Sequence, residues 1–426
     1  MIVLGIFIAL LFLICINVPI AVALAVAAIL GLLATEGVDS LVTVALDMYD
    51  GSTKFSLIAI PMFVLAGAIM NAGGITDRLI NFVASLIGFV RGGLAMVNIG
   101  VSLFFAEISG SAVADVAALG SVMIPQMKKR GYSAPLAAAV TSSSASLAII
   151  IPPSIPMIVY AVSAGTSVEQ LFVAGLVPGL LGAAGLMSVA YAFAVKYNLP
   201  TEEAFNTKRV KAAFKEALPT FLLPVIILGG IFGGFVTATE AAGLAVVVAL
   251  GLGIYYRELD FKRLRSAMIE GGMQTAVVML LVAASVLMGG FLTRAQVPQE
   301  LAQSLMAMTD NKYVILAILN VFFLIIGFFL HSVAAIILVI PIVIPLIELA
   351  GIDPVHFGLI VTLNLAIGQQ TPPVASVLIT SCSIAKANIW DVSKVNVYFV
   401  AVLLAVLLLC TYVPSVPMFL VEYFYR

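Results

Sequence analysis

The sequence predicts an all-α polytopic membrane protein built from two inverted-topology repeats, each with one re-entrant hairpin and one broken helix. Three observations predict it. The 426 residues are 63% hydrophobic and only 10% charged, against about 25% charged in soluble domains. The charges fall in short clusters between apolar runs, as loops between spans do. An offset of 220 residues lays Pro152-Pro153 on Pro372-Pro373, Pro125 on Pro345 and Gly131 on Gly351. Both Pro-Pro pairs sit inside apolar stretches rich in small polar residues, at 141–156 and 361–376. Proline-interrupted membrane segments at matching places in two halves point to a transporter with a binding site near the bilayer midplane.

Apolar runs of spanning or near-spanning length occur at about 2–16, 18–34, 55–72, 137–162, 171–195, 217–236, 238–256, 268–293, 355–383 and 395–420. The N-terminal stretch Met1-Ile-Val-Leu-Gly-Ile-Phe has no basic residue and no small-residue cleavage site, so it reads as a retained helix. Runs 2–16 and 18–34 are either two helices or one long bent helix. Regions 92–127 and 313–349 are too long for one span and carry polar interruptions. The first contains Phe105-Ala-Glu-Ile-Ser-Gly-Ser-Ala-Val-Ala-Asp115, the second Gly327-Phe-Phe-Leu-His-Ser-Val-Ala334. Each is either two spans or one re-entrant hairpin.

Charge decides between them. The connector 196–216 carries Lys196, Lys208, Arg209, Lys211 and Lys215, which places it in the cytoplasm. Two spans later come Arg257, Lys262, Arg263 and Arg265; two spans earlier come Lys128-Lys-Arg130. Arg91 joins the same side if 92–127 is a hairpin, and the ends of 313–349 then lie outside. Lys386 and Lys394 fall back inside. The connectors 36–54 and 257–267 occupy equivalent places, yet the first is acidic (Glu36, Asp39, Asp47, Asp50) and the second basic. Opposite charge at equivalent places fits opposite membrane faces, with an ordinary duplication without inversion as the alternative. The expected organisation is a first repeat with its linking span over 1–195, the connector 196–216, and a second repeat with its final span over 217–426. The hairpins lie at about 92–127 and 313–349, the broken helices at about 137–162 and 355–383.

Proline lacks an N–H and pushes the preceding residue out of helical space, so neither Pro-Pro pair continues a helix. Carbonyls before the break lose their partners and become oxygen ligands for a hard cation such as Na⁺. The half-helix after the break offers a positive dipole end to a substrate carboxylate. A proline kink with no ligand is the alternative reading, and the matched polar clusters weigh against it. Ser109-Gly110-Ser111 is the expected tip of the first hairpin, although small residues there also permit close helix packing. His331-Ser332 is its counterpart, with His331 expected to touch substrate or cap a helix rather than to titrate in a proton relay. Glu107 and Asp115 flank the first tip and either bind a cation or solvate the hairpin mouth. Arg294 is expected to snorkel at the membrane boundary, and Asp353 to start a helix.

Several function classes are excluded. A net charge of −1 and the absence of a basic tract give no purchase for nucleic acid. No GxxxxGK[ST] motif supports ATP hydrolysis. Cys15, Cys382 and Cys410 are scattered through apolar segments without metal-ligand spacing. An intramembrane serine protease needs a nucleophile with a base in reach, and neither His331 nor His356 has a motif-level link to Ser109 or Ser111. No enzyme activity is expected. A channel is disfavoured because broken inverted repeats suit alternating access.

The Ser-Gly-Ser-Ala hairpin, the Ile-Pro-Pro-Ser break, Thr237-Ala-Thr-Glu-Ala-Ala-Gly243 and Gly368-Gln-Gln-Thr-Pro-Pro resemble, in this order, the large membrane subunit (M subunit, DctM-like) of tripartite ATP-independent periplasmic (TRAP) transporters. The resemblance covers essentially the whole chain, and the length fits a separate M subunit without a fused small subunit. It implies an elevator-type secondary transporter of the bacterial inner membrane, driven by a Na⁺ gradient and using no cofactor. Its implied partners are a small membrane subunit (Q), a periplasmic substrate-binding protein (P) and the lipid bilayer. The implied cargo is an organic acid: a C4-dicarboxylate, a sialic acid, or a sugar or keto acid, with sialic acid the first to try. A stand-alone Na⁺- or H⁺-coupled anion transporter is the alternative. Carried over residue by residue, the resemblance implies a first Na⁺ site at Ser109, Ser144, Ala148 and Pro152, and a second at Gly327, Asn364, Gly368 and Thr371. Substrate is expected near Ser109, Gly110, Ser111, Ser154, His331, Ser332, Gln369 and Gln370. The hairpins and broken helices would form the moving domain, the other spans and the two connectors the scaffold.

Overall fold

The computed structural model describes residues 2–16, 18–201 and 204–425, and for Leu11, Cys15 and residues 107–109 the backbone alone. Every described element is a helix. Lipid offers backbone groups no partners, and a helix satisfies its own. Among the described residues, eight helical stretches are long and apolar enough to cross a bilayer.

The 220-residue offset governs whole elements. Adding it to Ala112–Lys129 gives Ser332–Leu349, with both ends matching. Gly93–Ser109 corresponds to Lys312–Phe329, Ala134–Ala145 to Pro354–Gly368, and Ile155–Ala164 to Ser376–Ala385. Ile20–Glu36 likewise corresponds to Ala238–Tyr255, and Val168–Lys196 to Ile389–Tyr412. Contacts obey the same exchange. Ala112–Lys129 lies against Ser376–Ala385, and its counterpart Ser332–Leu349 lies against Ile155–Ala164. Swapping the halves maps one contact onto the other, as a two-fold axis does.

Both polar-interrupted regions are helical hairpins. Gly93–Ser109 and Ala112–Lys129 turn at Gly110; Lys312–Phe329 and Ser332–Leu349 turn at Leu330-His331. Both proline pairs break a helix. The first helix, Ala134–Ala145, tightens into a 3₁₀ turn over Ser146–Ile149 and restarts as Ile155–Ala164. The second, Pro354–Gly368, restarts as Ser376–Ala385. Both Pro-Pro peptides are cis.

Several boundaries differ from the sequence reading. Runs 2–16 and 18–34 are two helices, Ile2–Cys15 and Ile20–Glu36, packed on each other, so the single bent helix is excluded. The span expected at 268–293 begins within the supposed connector 257–267. Asp260 accepts from the Arg263 amide at 2.7 Å and starts a continuous 34-residue helix, Phe261–Arg294. At ~1.5 Å per residue that helix is about 51 Å long, well past the ~30 Å hydrocarbon core. The acidic connector 36–54 is partly helical, over Leu41–Ser52. The last run, 395–420, is two helices, Ile389–Tyr412 and Ser415–Tyr425, separated at Pro414.

Outside the hairpins and broken helices, Phe261–Arg294 packs on Ile20–Glu36, Leu41–Ser52 and Ala59–Ala72. An arginine ties down each end. Arg294 does not simply snorkel: its guanidinium reaches Asp47 at 3.0 Å, Glu36 at 3.9 Å and the Thr43 hydroxyl at 3.2 Å. Arg78 pairs with Glu258 at 2.7 Å, donates to the Gly74 carbonyl at 2.7 Å and lies 3.8 Å from the Tyr256 ring centroid. Burial pushes the Tyr256 phenol up, partly opposed by that guanidinium. The phenol donates to the Glu216 carbonyl at 2.9 Å.

The Thr237-Ala-Thr-Glu segment is a capping box. The Thr237 hydroxyl accepts from the Glu240 amide, and Glu240 accepts from the Thr237 amide at 2.9 Å. Glu169 adds a third bond, accepting from the Ala238 amide at 3.2 Å. Loss of such a cap costs about 1 kcal/mol. Thr237→Ala is therefore expected to lower the thermal unfolding temperature of the purified protein, and Thr237→Ser to restore it.

Candidate functional site

The hydroxyl-rich run before the first break is fully inside the protein. Thr141, Ser142, Ser143, Ser144 and Ser146 are each at most 1% exposed. Most have partners on neighbouring elements. Asn98 Nδ2 donates to Thr141 at 2.6 Å, and Ser102 donates to Ser144 at 2.9 Å, which ties this helix to the first hairpin. Ser143 reaches Asn396 Oδ1 at 2.8 Å. Ser142 Oγ has no partner among the described residues. After the break, Ser154 donates to the Ile149 carbonyl at 2.7 Å and accepts from the Met157 amide, closing the gap and starting the next helix.

The second break uses an asparagine at the position of Ser144. Asn364 Nδ2 donates to Asn320 Oδ1 at 2.7 Å and to the Ile360 carbonyl at 2.8 Å. Asn320 in turn donates to Thr411 at 3.2 Å. Among the described residues Asn364 Oδ1 has no partner, inside a side chain that is 0% exposed. Gln369 bridges the gap: its Oε1 accepts from the Ser376 hydroxyl at 3.4 Å and its carbonyl from the Val377 amide at 3.2 Å. Thr371 donates to the Ile367 carbonyl at 3.1 Å.

Each hairpin tip docks on the break of its own repeat. A Cβ on Gly110 would stand 2.9 Å from the Pro153 carbonyl oxygen and 3.0 Å from the Ile155 nitrogen. In the second repeat, the Phe328 carbonyl accepts from the Ala375 amide at 3.4 Å. There Gly327 and Gly368 meet backbone to backbone, and a Cβ on Gly368 would lie 2.5 Å from Gly327 Cα. The two breaks touch each other, because Gln370 Nε2 donates to Ser146 Oγ.

Four helix N-termini open on this junction: those of Ala112–Lys129, Ile155–Ala164, Ser332–Leu349 and Ser376–Ala385. Among the described residues only Ile155–Ala164 has a side-chain cap, from Ser154. Uncapped N-termini present N–H donors and a positive dipole end, which suit an anion. Oxygens on Ser142, Asn364, Ser332 and Asn98 have no partner among the described residues, and all four are neutral hard donors. Among the described residues no group of three His, Cys, Asp or Glu could hold a metal. Neutral oxygens with few charges suit a monovalent alkali cation better than a divalent one.

The expected site residues fall as follows. Gly110 is buried at the first tip and Ser111 is half-buried at the N-cap position. Ser144, Ala148 and Pro152 line the buried first break, where Ala148 lies in the 3₁₀ turn. Gly327, Asn364, Gly368 and Thr371 gather at the second break. Ser332 is 1% exposed, and its hydroxyl lacks a partner among the described residues. His331 occupies the N-cap position but makes no capping bond, which corrects the capping expectation, and it is exposed at the tip. The side chains of Ser109 and Glu107 lie outside the described residues. Asp115 is 0% exposed in the first turn after the first tip. Asp353 starts a helix as expected, accepting from the Val355 amide at 2.8 Å. Gln370 has its amide turned inward to Ser146 and Asn396.

Sequence reasoning missed Asn98, Ser143, Ser146, Asn320, Asn396 and Thr411. An asparagine within an apolar run is itself a signal, and Asn98, Asn320 and Asn396 all carry it. The two junctions also differ in exposure. The first break is buried throughout, whereas Pro373 and Val374 of the second reach the surface beside the exposed His331.

Hairpins and broken helices related by a two-fold exchange, meeting at a polar junction, define a secondary-transporter fold. The chain belongs to the DctM component family of tripartite ATP-independent periplasmic transporters, whose model matches residues 7–416. It is 41% identical over 408 residues to the isethionate TRAP transporter permease protein DctMQ of Oleidesulfovibrio alaskensis, covering 95% of this chain and 64% of that protein. It is 40% identical over 335 residues to the sialic acid TRAP transporter large permease protein SiaM of Vibrio cholerae, covering 78% of each. Its fold is similar to that of the Alcanivorax borkumensis YdaH transporter, described as having an unusual topology, with a TM-score of 0.60 at 14% identity over 89% of each chain.

The Gly327–Gly368 contact yields a prediction. The obstacle to a side chain at 368 is backbone, which does not rotate away, and overpacking of this kind costs about 1–3 kcal/mol. Gly368→Val is expected to separate the second hairpin from its break and abolish transport at normal membrane abundance. Gly243→Ala, where nothing lies within 4 Å, is expected to transport like the parent. Uptake by both variants, normalised to protein in the membrane, is the check.

Proposed function

We propose that this chain is the large permease subunit of a Na⁺-coupled importer of an organic acid in the bacterial inner membrane. In this reading Na⁺ binds at the two breaks, near Ser144, Ala148 and Pro152 in the first and near Gly327, Asn364, Gly368 and Thr371 in the second. The anion sits between the tips, against the uncapped helix starts at Ala112, Ser332 and Ser376. Na⁺ at the breaks fixes the tips and so completes the anion site, which couples the two cargoes. The hairpins and broken helices move as one body against Phe261–Arg294 and the helices packed on it. The observation that carries the reading is the junction itself. Two matched chain breaks touch through Gln370 and Ser146, each is met by its hairpin tip, and the helices after both tips and after the second break start without a side-chain cap among the described residues.

The cargoes named for the relatives, isethionate and sialic acid, are both small organic anions. They support an anionic cargo and do not choose between a carboxylate and a sulfonate. The relatives' names also support a multi-subunit assembly, with a small membrane subunit and a periplasmic binding protein as partners.

The test is uptake into proteoliposomes under an imposed Na⁺ gradient, with isethionate, sialic acid and C4-dicarboxylates as candidate cargoes. Uptake is expected only when the chain, its small subunit, its binding protein and inward-directed Na⁺ are all present. Uptake by the chain alone would favour a stand-alone transporter and remove the proposed partners. Uptake indifferent to Na⁺ would remove the coupling.

A further inference from the structure

The link between the two breaks has no counterpart under the repeat. Gln370 Nε2 donates to Ser146 Oγ at the start of the first break's 3₁₀ turn. Asn396, on Ile389–Tyr412, donates to the Gln370 carbonyl at 3.2 Å and approaches its Oε1 at 3.5 Å. Asn396 Oδ1 accepts from Ser143 at 2.8 Å. Ser143 and Ser146 are three residues apart, about one helical turn, so the bonds close a ring: Ser143, Asn396, Gln370, Ser146. All four residues are at most 1% exposed. Subtracting or adding 220 gives Leu363 for Ser143, Ala366 for Ser146, Ile150 for Gln370 and Leu176 for Asn396. Every counterpart is apolar. Duplication of the repeat therefore does not explain the ring; it is a single added connection.

We propose that Gln370 is a positioning residue that couples the two breaks, so that an ion bound at one raises affinity at the other. This rests on the Na⁺ reading given above. Ser146 lies between Ser144 and Ala148 of the first site, and Gln370 lies between Gly368 and Thr371 of the second. A shift of the first 3₁₀ turn on ion binding must carry Gln370 with it or leave buried amide and hydroxyl groups unpaired. An unpaired buried group costs about 1–3 kcal/mol, so the two breaks move together. Gln370 serves the cations in this role, and its amide does not face the anion.

The test is a Na⁺ titration of the full chain with its small subunit in nanodiscs, at constant ionic strength with choline replacing Na⁺. Direct ²²Na⁺ binding and thermal unfolding are the two readouts. The parent is expected to bind with a Hill slope between 1 and about 2, the limit set by two sites. Gln370→Met is expected to bring the slope to about 1 and weaken half-saturation about tenfold, within the usual range of coupling energies, with the number of ions bound unchanged. Ser146→Ala, a milder change, is expected to reproduce the lost slope if Gln370→Met does not fold. A merely structural role would lower the unfolding temperature without Na⁺ and leave the slope as it was. An unchanged slope in both variants, or a parent slope of about 1, would overturn the coupling and leave Na⁺ binding standing. A parent that binds no Na⁺ would overturn both.

Discussion

Backbone groups at membrane depth need partners, and two proline pairs remove those partners at matched places. The structure arranges itself around that deficit. Each break is met by a hairpin tip from its own repeat, Gly110 against Pro153 and Ile155, and Phe328 against Ala375. Polar side chains fill much of what remains. Ser154 closes the first gap and Gln369 the second. Among the described residues, Ser142 before the first break, Asn364 before the second and Ser332 after the second tip keep oxygens without partners, as do Asn98 and Gln299 elsewhere. A buried group left unpaired is expensive, and most of the hydroxyls and amides at the breaks are paired across elements.

The repeat supplies geometry, and departures from it supply distinct roles. The two breaks share their prolines and flanking helices but differ in their polar groups. A run of serines lines the first, whereas an asparagine pair, Asn364 with Asn320, lines the second. The first is covered and the second reaches the surface. The arginines at the ends of Phe261–Arg294 also differ. Arg294 joins Asp47, Glu36 and Thr43, whereas Arg78 joins Glu258, Gly74 and Tyr256. One architecture thus carries two non-identical breaks and two non-identical anchors.

Much of this was legible in the sequence because proline acts locally and strongly. Pro152-Pro153 and Pro372-Pro373 located both breaks, and polar residues inside over-long apolar regions located both hairpins. Charge clusters gave the inversion through loop composition alone. Partnering was not legible. Nothing in the chain announces that Gln370 turns toward Ser146 rather than outward, since that choice depends on two segments more than two hundred residues apart. His331 read as a cap or a contact by residue type, and the structure removes only the cap, since no capping bond forms. Helix ends were also missed, because Asp260 extends Phe261–Arg294 into a stretch whose basic composition reads as a loop.

The central claim is that both breaks are cation sites. Its most direct measurement is the stoichiometry of ²²Na⁺ bound to the purified chain, compared with a variant disabled only at the second break, Asn364→Leu. Saturable binding at both breaks is expected, with one ion per chain lost in the variant and the remainder retained. No saturable binding by the parent, or the same stoichiometry in both proteins, would contradict it.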